Sequence, residues 1–221
     1  SLSRRTTGSV LAVAGEQEAR FIGYSELFFP RAGSYRLQIP GAETMELSGA
    51  ESYYAYRSSP AQMQTLETVD TGMVEAPAFS VGNLAFRRIY HTQSVTLGGA
   101  ITGTLRRNAD GKVTGTVRNG TGQELVGAWI VLPNQQSMIR LGSLKPGESK
   151  SMGEGRPFSR NTMNVGGWNM GWFHLQARHG SCAFLLATLT GESFGPPLGR
   201  YVGGENAVRL LVSLPITEGS R

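Results

Sequence analysis

The sequence predicts an all-β protein, and three observations carry that expectation. Short segments with strand-type patterning recur along most of the chain. Between them lie Gly, Pro and Asn clusters that suit tight turns. The composition agrees: 30 of 221 residues are Gly and only 17% are charged, which fits turn-dense β structure better than helix bundles.

Taken in order, the expected strands begin with GSVLAVA (8–14), ARFIGYSELFF (19–29), SYRLQI (34–39), TMELS (44–48) and SYYAYR (52–57). PAQMQTLETV, from Pro60 to Val69, is the best candidate for a short helix. FSVGNLAFRRIYH (79–91) and SVTLGGAITGTLRR (94–107) follow, then Asn108-Ala109-Asp110-Gly111 as a turn. KVTGTVRN (112–119) alternates cleanly: Val113, Gly115 and Val117 share one face, and Thr114, Thr116 and Arg118 share the other. The Asn119-Gly120-Thr121-Gly122 turn leads to ELVGAWIVL (124–132), and SMIRLGSL (137–144) runs into Lys145-Pro146-Gly147-Glu148. The last strands are within WNMGWFHLQAR (168–178), SCAFLLATLT (181–190) and NAVRLLVSLPI (206–216). Many short strands at this spacing predict sandwich or barrel architecture.

Two consecutive antiparallel sandwich-like domains are expected, 1–80 and 81–221, with the boundary after the Glu75-Ala76-Pro77-Ala78 connector. Charge changes sign near there. Residues 1–82 hold six Arg against nine acids, −3; residues 83–221 hold fifteen bases against seven acids, +8, which together give the net +5. A basic second half suits an anionic partner. Cys182 is the sole cysteine, so no disulfide forms within the chain. No apolar run approaches the ~18 residues of a spanning helix.

The segment TGTVRNGTGQELVGAWIVL, followed by LGSLKPGES, resembles the immunoglobulin- and fibronectin-type-III-like modules of bacterial extracytoplasmic proteins. The resemblance covers about residues 113 to 149. It implies an immunoglobulin-like second domain, a location outside the cytoplasm, and a binding or spacing role. Such modules share no single activity.

Gly191-Glu192-Ser193-Phe194-Gly195 matches the G-x-S-x-G pattern of serine hydrolases. A nucleophile elbow needs a helix straight after the serine, and Pro196 and Pro197 oppose one. No His or Asp follows Ser193, so catalysis there is disfavoured. His174 and His179 carry no metal-site spacing, and His91 suits a polar strand position. Neither a metal nor another cofactor is expected.

Binding residues are the better expectation. On a strand, Trp168, Trp172 and His174 share a face, with the indoles ~13 Å apart, and an exposed pair would stack on sugar rings. Buried, they would be core, and that is the favoured expectation for the pair. Arg87 and Arg106, from the doublets Arg87-Arg88 and Arg106-Arg107, are candidate contacts for an anionic surface, although alternation puts the members of each doublet on opposite faces. The expected function is therefore non-enzymatic: an extracytoplasmic region of an envelope-associated protein, anchored by a segment outside this chain. It would contact an anionic wall polymer, a membrane surface or a protein. A carbohydrate-binding module is the alternative; nucleic acid is disfavoured for want of a recognised motif.

Overall fold

The computed structural model describes residues 3–47, 64–66, 73–75, 78–157, 164–165, 168–169, 182–189 and 207–218. Those residues are strand, turn and one short 3-10 segment, with no α-helix among them. The all-β expectation holds. The expected strand 52–57, the Gly191–Gly195 motif, Trp172 and His174 lie outside the described residues.

Two compact units are present, each assembled from separated segments. The first comprises 1–10, 20–95 and 191–208; the second comprises 11–19, 96–190 and 209–221. The expected boundary near residue 80 falls inside the 20–95 segment of the first unit.

The first unit holds most of β1 (Ser3–Val13), β2 (Glu18–Phe29) and β9 (Ala85–Thr96), with β5 (Ala42–Leu47) and β6 (Gln64–Leu66), in the sheet order β1-β2-β9-β5-β6. Two small antiparallel pairs accompany it: β3 (Gly33–Tyr35) with β8 (Phe79–Val81), and β4 (Gln38–Pro40) with β7 (Met73–Glu75). Strand β6 corrects the helix expected over 60–69. Gln64–Leu66 is extended and pairs antiparallel with Met45–Leu47, because an available sheet edge outweighs the weak helix preference of so short a segment. The expected strand 79–91 is broken by a turn at 82–84, where Leu84 takes a positive φ of 52°. Leu27, Phe29, Ile39, Met45 and Ile89 form the centre of this unit's core, with Phe29 packed against Tyr35 and Phe79. Near β1, Gly8 and Gly23 lie under the Phe21 ring. A Cβ on either would approach that ring to 2.6 Å, so the close fit requires glycine.

The second unit contains β10 (Ile101–Arg107), β11 (Val113–Asn119), β12 (Leu125–Leu132), β13 (Ser137–Leu144) and β14 (Ser149–Ser151). It also holds β15 (Arg156–Pro157), the pair β16 (Asn164–Val165) and β17 (Trp168–Asn169), β18 (Cys182–Leu189), and most of β19 (Ala207–Glu218). One sheet runs β15-β13-β12-β18-β19. β12 turns into β13 through the 3-10 segment Pro133–Gln135. β10 pairs antiparallel with β11, and β11 with β14. β10 also pairs with β19, in parallel, matching Leu105 to Ile216. That pairing departs from the antiparallel arrangement expected. A parallel neighbour needs a long connection, and the hundred residues between these strands supply one.

Asn119 organises the turn that follows β11. Its buried side chain donates to the carbonyls of Gln123 (2.8 Å) and Leu144 (3.0 Å) and accepts from the Thr121 N–H (3.0 Å) and hydroxyl (2.7 Å). Its backbone bonds Glu148 and Gly147, clamping the Lys145–Glu148 turn to the end of β11. Glu148 closes that turn by accepting from the Lys145 N–H (2.7 Å). This backbone bond, then the Lys150 and Lys145 charges, hold its carboxyl below the ordinary range. In the Asn119-Gly120-Thr121 turn the Asn119 and Thr121 side chains are thus buried, and the Asn119 amide is occupied.

Candidate binding faces

The polarity of β9 is inverted relative to its composition. Arg87, Ile89, His91 and Gln93 point inward and are buried, while Phe86 (39% exposed) and Tyr90 (37% exposed) point outward beside Arg88. Hydrophobic patterning alone would turn the two aromatic rings into the core. Buried polar groups with exposed apolar ones carry more information than either composition or strand propensity.

Outside, the side chains of β2 and β9 form a ladder. Phe28 packs on Phe86 with centroids 4.9 Å apart, and Tyr24 on Tyr90 at 5.6 Å. Between these rungs Arg88 pairs with Glu26, and its guanidinium lies 4.8 Å from the Tyr24 ring centroid. The rungs step in opposite directions along the two strands, as in an antiparallel pair. Ile22, 45% exposed, extends the apolar surface along β2. Beyond Tyr90, Thr92 bonds Thr44 at 2.8 Å, and Glu43 joins Ser94 and Arg20. Cross-strand pairs of this kind stabilise a sheet. Their remaining exposure offers a partner Tyr, Phe and Arg, the side chains enriched at protein interfaces.

Inside, Arg87 donates to the Ser80 carbonyl at 3.0 Å and lies 5.8 Å from the Phe79 ring centroid. At 6% exposure its guanidinium is turned from solvent, and Arg88 occupies the outer face in its place. Sequence reasoning placed the doublet's members on opposite faces but could not say which lay outside.

Further along the inner face, Ser25 Oγ bonds His91 Nε2 at 3.2 Å and Thr6 Oγ1 at 3.1 Å. His91 also stacks on Phe21, with centroids 4.9 Å apart. Burial, and secondarily the Arg4 charge, lower its pKa from 6.5 to about 4. A serine against a histidine has the elements of a nucleophile–base pair, yet this one lacks two requirements. Both residues are essentially fully buried, and among the described residues no carboxylate orients His91 Nδ1, which has no hydrogen-bond partner. The arrangement is a neutral polar cluster inside the core. Nothing in the sequence pointed to it, because residues 6, 25 and 91 converge only through strand pairing.

Arg106 occupies a different surface, in the second unit. The outward positions of β10, β11 and β14 are all exposed and fall into rows: Thr102 beside Arg118 and Ser149, Thr104 beside Thr116 and Ser151, and Arg106 beside Thr114. Thr104 and Thr116 join through their hydroxyls at 2.9 Å. Alternation turns Ile101, Leu105, Val113 and Val117 to the buried side. Every outward residue on these strands is therefore a hydroxyl or an arginine.

Trp168 lies in β17, where it pairs with Val165. Among the described residues, no three of His, Cys, Asp and Glu gather as metal ligands.

Residues 100–178 match a family model described as a domain of unknown function (DUF8725), which takes in the hydroxyl–arginine face and the Asn119 turn. No curated protein matches the chain. Among solved structures it is similar to the yeast delta-COP-I mu-homology domain complexed with a Dsl1 WxWxV peptide. That likeness has 7% identity and a TM-score of 0.34, covering 99% of this chain and 97% of the other. The same yeast domain without peptide gives 7% identity and a TM-score of 0.33, over 99% and 97%. At such scores neither likeness bears on what this chain does.

Proposed function

We propose that this chain is a non-enzymatic binding and spacing region of a bacterial envelope-associated protein, working outside the cytoplasm. Its architecture in this reading is two sandwich-like domains, the second immunoglobulin-like. The observation that supports binding most strongly is the inverted polarity of β9. Two aromatic rings and an arginine face outward while Arg87, His91 and Gln93 are buried. A sheet that keeps polar groups inside and rings outside departs from the rule that folding alone favours, and such departures concentrate at functional sites. A protein component of the envelope fits this face, through Tyr24, Tyr90, Phe86 and Arg88.

The test is co-sedimentation of the purified chain with isolated envelopes of the source cells. The wild type should pellet with them, and Tyr24→Ser with Tyr90→Ser should lower the bound fraction severalfold while the circular dichroism stays unchanged. Retention of the doubly substituted chain at the wild-type level would remove this face from the reading. Release by soluble sugars rather than by protease treatment of the envelopes would favour the carbohydrate-binding alternative.

A further inference from the structure

We infer that the outward face of β10, β11 and β14 is a docking surface for a linear phosphodiester polymer, of the polyol-phosphate kind found in cell walls. The assignment rests on the extracytoplasmic reading above but uses a different face in a different unit. Its first support is charge. Arg106 and Arg118 are exposed, and neither shares an ion pair with a carboxylate among the described residues. Among the other described arginines, Arg88, Arg20 and Arg107 are matched by Glu26, Glu43 and Glu218, whereas exposed Arg5, Arg31, Arg140 and Arg156, like Arg106 and Arg118, show no ion pair with a described carboxylate. What sets Arg106 and Arg118 apart is that they share one face whose outward strand positions include no acid, within the half of the sequence that carries +8.

Spacing and chemistry narrow the occupant. Arg106 faces Thr114 and Arg118 faces Thr102, so the arginines stand four residues apart along neighbouring strands, about 13 Å. A single phosphate cannot reach both; a chain with repeated phosphates can. Between them lie the hydroxyls of Thr102, Thr104, Thr114 and Thr116, which serve as donors to phosphate oxygens and as donors or acceptors to polyol hydroxyls. No aromatic side chain stands outward on these strands to stack a base, which separates this face from single-strand nucleic-acid platforms. No apolar side chain stands there to enter a bilayer interface, and two arginines give only weak attraction to anionic lipid.

The experiment measures binding of the whole chain to a glycerol-phosphate polymer of defined length by calorimetry, with neutral dextran as control. Binding should weaken as salt rises, because exposed charge contacts are screened. Arg106→Gln with Arg118→Gln should weaken it by about 10-fold or more, since charge-assisted contacts to phosphate are the strong ones. Thr104→Val with Thr116→Val, which keeps both charges, should cost a smaller factor. Absence of polymer binding, equal affinity for dextran, or full affinity in the double arginine variant would overturn the assignment. So would tighter binding to phosphatidylglycerol vesicles or to single-stranded DNA. If polymer binding fails while Tyr24 and Tyr90 still govern envelope co-sedimentation, only this face is withdrawn and the envelope reading stands.

Discussion

At the scale of single residues, the buried His91 ties stability to pH. Its folded pKa of about 4 lies below the ordinary 6.5, chiefly through burial and then through the Arg4 charge. The folded state therefore favours the neutral imidazole. Its contribution is fully present above pH 6.5 and is lost as pH falls from there towards 4. By linkage the loss reaches about 2 kcal/mol at pH 5 and about 3 kcal/mol once pH passes the folded value. Urea unfolding of wild type and His91→Gln at pH 7 and pH 5 checks this. The variant is less stable at pH 7, and the gap should narrow by about 2 kcal/mol at pH 5; a gap that stays constant would contradict the assigned ionisation. None of this was legible in the sequence beyond His91 being a polar strand residue. Which side of β9 faces inward depends on what packs against it, and Phe86 and Tyr90 argue locally for the opposite choice.

At the scale of elements, alternation and turn chemistry located most strands to within a few residues. Ser137–Leu144 forms over the expected span, and Val113–Asn119, Leu125–Leu132 and Cys182–Leu189 begin one residue inside theirs. The hydroxyl–arginine face was half visible too, since Thr114, Thr116 and Arg118 were placed together by period alone. What escaped was pairing between distant strands: a two-residue period says nothing about whether β19 lies beside β10 or which way it runs. The Lys145–Glu148 turn was read from its Pro-Gly dipeptide, but its anchor, Asn119, is 26 residues upstream of Lys145. Asn119→Ala removes four side-chain hydrogen bonds and leaves the buried Leu144 carbonyl without that donor, while the Gln123 carbonyl keeps the Thr121 hydroxyl. It should destabilise the second unit by roughly 3 kcal/mol, read as a shifted urea midpoint. A change below about 0.5 kcal/mol would mean the turn holds itself in place without Asn119.

For the whole molecule, the proposed contact residues and the cores occupy opposite sides of the same strands. Inward positions hold the cores, together with the His91 and Asn119 networks. Outward positions carry the aromatic ladder in the first unit and the hydroxyl–arginine rows in the second. Outward substitutions leave the buried cores intact, so the proposed variants test contact with little expected change in the fold. The most direct measurement is protease shaving of intact source cells, with peptides of this chain identified by mass spectrometry against a cytoplasmic control. The envelope account expects its peptides to be released before lysis while the control stays intact. Recovery of the unshaved chain in the cytoplasmic fraction, with no peptide released beforehand, would contradict it.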